Sequence, residues 1–129
     1  MRKALKTDPT MPDAAYNLGV LLAEKDIDEA ILWCRKAYEL RPNEAKYGYT
    51  LGFYLRQTGD EDEAVKILRE TIKRRPLYGD SYMLLGSIYE EREEFEEALS
   101  LYNEAMDIEE LPEQFKRFLQ TRVHAINDR

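Results

Sequence analysis

Several things are scarce in this sequence of 129 residues, and each scarcity excludes something. Cysteine is reduced to Cys34, so no internal disulfide can form, which fits a reducing compartment. Six glycines and five prolines are too few for a turn-rich β architecture. No stretch of eighteen apolar residues exists, which excludes a transmembrane helix, and no insertion into a membrane is expected. The basic start, Met1-Arg2-Lys3-Ala4-Leu5-Lys6, leads into no apolar run and is not a secretory signal, so a cytoplasmic location is expected. Positive charge is also short: the formal net charge is −7. That balance opposes binding to nucleic-acid phosphates or to an anionic membrane surface. It suffices to keep a helical domain in solution, and a basic partner is the sharper alternative.

What is present is repetition. Tyr16-Asn17-Leu18-Gly19 realigns with Tyr49-Thr50-Leu51-Gly52 and with Met83-Leu84-Leu85-Gly86. Downstream, Asp28-Glu29-Ala30-Ile31 realigns with Asp62-Glu63-Ala64-Val65 and Glu96-Glu97-Ala98-Leu99. Small residues follow at Ala37, Thr71 and Ala105, and prolines stand at Pro9, Pro42 and Pro76. The second-block alanines are 34 residues apart both times, as are Gly52 and Gly86, but Gly19 to Gly52 is 33. The missing residue falls between Gly19 and Ala30, where Lys25-Asp26 stands against Gln57-Thr58-Gly59-Asp60. A deletion in that turn leaves both helical faces in register. One inside a helix would rotate every later side chain by about 100°.

At these positions the chain resembles the tetratricopeptide repeat family, whose 34-residue pattern runs large residue, Leu-Gly, aromatic, Ala, aromatic, Ala, Pro. The third repeat resembles it best, with Tyr82, Leu85, Gly86, Tyr89, Ala98, Tyr102 and Ala105. The second gives Gly48, Leu51, Gly52, Leu55, Ala64, Leu68, Thr71 and Pro76; the first gives Ala15, Leu18, Gly19, Leu22, Ala30, Cys34, Ala37 and Pro42. Ala15 and Gly48 depart from the large first position, where looser packing is expected, and Glu110 stands where a third proline belongs. The implied fold is all-α, a right-handed superhelix (α-solenoid) of helix-turn-helix hairpins. Gly or Ala at each crossing lets paired helices approach closely. Helices are expected at about 12–24, 27–40, 45–57, 61–74, 79–92 and 95–108, with stops at Pro42, Gly59 and Pro76.

The domain then divides into the end of a truncated repeat at 1–9, repeats at 12–44, 45–78 and 79–111, and a capping helix at 112–127. Ala4 and Pro9 match Ala37 and Pro42, so residues 1–9 read as the tail of a second helix without its partner, as in a segment of a longer protein. Beyond Pro112, the residues Phe115, Phe118, Leu119, Arg122, Val123 and Ile126 trace a mostly apolar stripe at helical spacing. Solenoids need such a terminal cap. A partner-binding helix is the alternative.

No enzyme, metal or cofactor site can be assembled. His124 has no second histidine or cysteine nearby in the sequence, and Cys34 occupies a core position that suits an inert thiol. Zinc spacing, a phosphate loop and a nucleophile elbow are missing. The acidic run from Glu90 through Glu97 lacks the spacing and glycine of a calcium loop and reads as a solvated face.

The resemblance implies instead a groove lined by the first helix of each hairpin. Its positions would be Asp13, Tyr16, Val20 and Ala23, then Lys46, Tyr49, Phe53 and Arg56, then Asp80, Met83, Ser87 and Glu90. Aromatics and methionine are enriched where surfaces bind partners, and tyrosine offers an apolar ring and a polar tip at low entropy cost. The alternative is that these aromatics pack against the next repeat. Family members that grip the C-terminal carboxylate of heat-shock chaperones use Lys, Asn and Arg on these rows. Tyr16, Val20, Asp80 and Leu84 here disfavour that partner. A protein or peptide ligand is expected, with a structural spacer or self-association through the truncated N-terminal helix as the competing role. RNA binding is opposed by the charge.

Overall fold

The computed structural model describes residues 11–129, so the reading of residues 1–9 lies outside the described residues. Among the described residues seven α-helices follow in order: α1 Met11–Leu22, α2 Ile27–Leu40, α3 Ala45–Gln57, α4 Glu61–Arg74, α5 Gly79–Glu91, α6 Phe95–Met106 and α7 Glu113–Asn127. No strand occurs among the described residues. The chain is an all-α solenoid of helical hairpins. Each helix packs on the next in sequence, and α3 also touches α5, so the first helices of neighbouring hairpins lie side by side.

Small residues set the crossings. Gly19 lies against Cys34 and the Ala30 carbonyl, Gly52 against Leu68, and Gly86 against the Tyr102 ring. A Cβ at Gly86 would enter that ring, which is itself buried, so the close α5–α6 approach depends on glycine. The expected looseness at Gly48 is absent. Thr71 stands where the other hairpins have alanine, and its side chain fills the space over Gly48 while its hydroxyl donates to the Ile67 carbonyl at 2.9 Å. Small and large residues have exchanged sides of the interface. Tyr47, one position earlier, is fully buried and supplies further bulk.

The turns carry the one-residue difference. Gly59 takes a left-handed φ of 86°, and Glu93, 34 residues later, takes φ 58° at the same place. The first hairpin has no such residue. Its helix stops at Leu22 instead of Glu24, and the Asp26 amide donates back to the Leu22 carbonyl at 2.7 Å. Asp26 then caps α2 by accepting from the Glu29 amide at 3.1 Å.

Polar side chains tie the second helices together across repeats. Arg35 on α2 pairs with Glu63 on α4. The Tyr38 hydroxyl donates to Glu70 at 2.6 Å and accepts from Arg74 at 2.8 Å. Cys34 is fully buried, and burial pushes its thiol up to about 12, as suits an inert core residue. On α7, Leu119 and Ile126 are buried, Phe115 and Val123 pack partly against the core, and Phe118 is exposed. Phe115 lies directly over Gly79, so α7 contacts the start of α5 as well as α6.

Candidate functional site

The site is built where α1, α3 and α5 run side by side. Tyr16 on α1 packs its ring on Tyr47 of α3, with centroids 5.1 Å apart, and its hydroxyl lies 3.4 Å from Thr50 Oγ1. Tyr49 on α3 stands 6.5 Å from Phe53 and meets Tyr78 edge-on at 6.0 Å. Tyr78 immediately precedes α5. Tyr16, Tyr49 and Tyr78 are half-buried, whereas Tyr47 is fully buried; the Tyr16–Tyr47 and Tyr49–Tyr78 pairs each pack across a junction between hairpins. Val20 and Phe53, one turn further along, are exposed at 42% and 37%. Met83 packs on the core at the inner end of the row.

Most of the flanking charges are occupied within the molecule. Asp13 accepts a hydrogen bond from the Tyr47 hydroxyl, which burial and then Asp13 push up from the ordinary tyrosine range. Arg56 reaches across to α5, donating to Ser87 Oγ at 2.8 Å and pairing with Glu91. Ser87 in turn donates to the Leu84 carbonyl at 2.9 Å. Glu90 is no solvated carboxylate: Arg122 Nε of α7 donates to it at 3.1 Å and the Tyr102 hydroxyl at 2.6 Å. Burial alone would raise Glu90, but Arg122 and Tyr102 together hold it below the usual carboxylate range. Ser87, Glu90, Glu91 and Arg122 thus close one end of the row around an open cleft of about 320 Å³.

Lys46 is placed differently. Its ammonium lies over the Tyr16 ring at 5.2 Å and the Tyr47 ring at 5.9 Å from the centroids. Asp80, its counterpart 34 residues on, is half-buried in the first turn of α5 and forms no ion pair with a described residue. Tyr78 is the residue that repeat counting misses. It falls outside the first-helix positions, and its counterpart one repeat earlier is Glu44. An aromatic directly before a helix start, two residues from Asp80, was the available signal.

Among the described residues, no group of three His, Cys, Asp or Glu is arranged to hold a metal ion. No helix among them is long and apolar enough to cross a membrane.

Comparison with known proteins agrees with this architecture. A family model described as tetratricopeptide repeat matches residues 45–110, and a second with the same description matches residues 1–45. The chain belongs to the tetratricopeptide repeat family. Tetratricopeptide repeats generally mediate contacts between proteins, and the family is typically non-catalytic. No curated protein matches the chain. Among solved structures it is similar to a crystal structure of MamA, at 27% identity and a TM-score of 0.71, covering 82% of this chain and 63% of that one. A second MamA crystal structure matches at 26% identity and a TM-score of 0.70, with 82% and 58% covered. The chain therefore spans less than two thirds of the MamA chains it resembles.

Proposed function

We propose that this tetratricopeptide repeat protein is a non-catalytic scaffold that takes a peptide or partner segment across α1, α3 and α5. The observation that carries this reading is the open aromatic row. Tyr16, Tyr49 and Phe53 present ring surface on adjoining helices, and Val20 extends it. Contiguous apolar surface rimmed by polar groups is characteristic of partner-binding faces. Lys46 and Asp80 lie beside the row and supply register, whereas Asp13, Arg56, Ser87 and Glu90 shape the floor and end through their internal bonds.

A bound segment held at micromolar strength would need about −8 kcal/mol, which two or three well-buried aromatic contacts can dominate. The test uses dodecapeptides selected from a random library on the wild-type chain. The double substitution Tyr49→Ala with Phe53→Ala is expected to weaken their binding at least about tenfold while helical circular dichroism persists. Full affinity in a folded double variant would defeat the proposal.

A role in spacing or self-association has one observation behind it: Leu21 and Leu32 of the first hairpin are exposed at 77% and 50%. Light scattering at high protein concentration tests this, and a strict monomer argues against it.

A further inference from the structure

The two junctions between first helices carry opposite charges at one equivalent position, Lys46 and Asp80. At the α1–α3 junction, the ring pair Tyr16–Tyr47 is covered by the protein's own cation, the Lys46 ammonium. The α3–α5 junction again has a ring pair, Tyr49–Tyr78, with Phe53 beside it. Here the residue equivalent to Lys46 is Asp80. A carboxylate thus stands where the neighbouring junction has an ammonium. Asp80 stands in the first turn of α5, two residues after Tyr78, whose ring meets Tyr49 at 6.0 Å. Burial first, and then the charge of Asp80, push the Tyr49 and Tyr78 hydroxyls up.

Ring faces attract a cation through their quadrupole, and a nearby carboxylate adds to that attraction. We infer that the pocket of Tyr49, Tyr78 and Phe53 with Asp80 receives a lysine or arginine side chain of the partner segment. The partner is therefore a basic peptide whose cation is flanked by apolar residues. The inference rests on the groove reading above and specifies its ligand. Charge complementarity supports it beyond the pocket: residues 79–113 carry twelve carboxylates and a single cation, Arg92. Among the described residues, only Glu90 and Glu91 of those twelve pair with cations from outside the segment, Arg122 and Arg56. Arg92 is already paired with Asp62 and Glu94. Such a field steers a basic segment toward this end of the groove.

The experiment is selection from the same random dodecapeptide library by the wild-type chain and by folded Asp80→Asn, Asp80→Lys and Tyr49→Leu variants. Wild type is expected to enrich Lys or Arg at least fivefold at one position between apolar neighbours. Asp80→Asn and Tyr49→Leu are expected to reduce that enrichment at least threefold. Asp80→Lys, which recreates the self-covered junction, is expected to abolish it. Two results overturn the inference while leaving the groove in place. One is selected peptides with no basic preference whose binding still depends on Tyr49 and Phe53. The other is a basic preference unchanged in all three variants, which would locate the cation elsewhere on the acidic surface. A library yielding no binders would remove the groove reading and this inference together.

Discussion

Single positions in this chain are constrained by backbone conformation as much as by packing. Glu93 and Gly59 end the first helices of successive hairpins in the left-handed region, yet only one is glycine. A side chain there suffers a steric penalty that glycine avoids, at the cost of more entropy lost on folding. Glu93 is exposed and its side chain forms no hydrogen bond or ion pair with a described residue, so that side chain has little to lose. Replacement Glu93→Gly is expected to stabilise the fold by about 0.5–1 kcal/mol, the net of those two terms. Urea denaturation would register this as a higher midpoint at unchanged slope. A lower midpoint would show that the turn is not strained. Gly48 makes the complementary point, since the bulk it lacks is supplied by Thr71 on the facing helix.

Among the helices, α7 is attached by a mixture of apolar burial and one charged contact. Leu119 and Ile126 anchor it, while Arg122 reaches Glu90 on α5. Because Glu90 is held below its ordinary value in the folded protein, it binds a proton more weakly there than in the unfolded chain. Its contribution is therefore present above the unfolded value of about 4.3 and is lost as pH falls through the lower folded value. Glu63, lowered by its hydrogen bonds from Arg35, adds to the same acid limb. The Arg122 side chain is 37% exposed, so solvent screening limits the pair to about 0.5–1 kcal/mol. Substitution Arg122→Gln is expected to lower stability by that amount at pH 7 and by much less at pH 3. Thermal melts at both values check it, and an equal loss at both would assign the effect to packing.

For the molecule as a whole, helices contact mainly their neighbours in sequence, so stability is close to a sum of local interfaces. Leu119→Ala removes a buried side chain from α7 and is expected to cost about 2–4 kcal/mol locally. Hydrogen exchange should speed up in α6 and α7 while α1 and α2 keep their protection. Uniform acceleration along the chain would show instead that the array unfolds as one unit. The acidity of residues 79–113 belongs to this scale too, since a field of many carboxylates acts on an approaching cation before any contact forms.

The amino-acid pattern alone determines the helices, their crossings and the core. A 34-residue period places the same side chain on the same face each time, and a helix can bury only one face. Tyr16, Tyr49 and Phe53 could therefore be placed on a shared surface from spacing. Which charges beside this aromatic row remain available is a tertiary matter. Asp13 shares its repeat position with Lys46 and Asp80, and Arg56 shares its own with Glu90, yet Tyr47, Glu91 and Arg122 engage Asp13, Arg56 and Glu90 from residues 32 to 35 positions away. Long polar side chains reach whatever the stagger between repeats brings near, and periodicity does not encode that stagger. Tyr78 joined the aromatic row for the same reason: its ring comes from the residue before a helix, where the repeat pattern makes no demand, and only the packing of α5 beside α3 brings it to Tyr49.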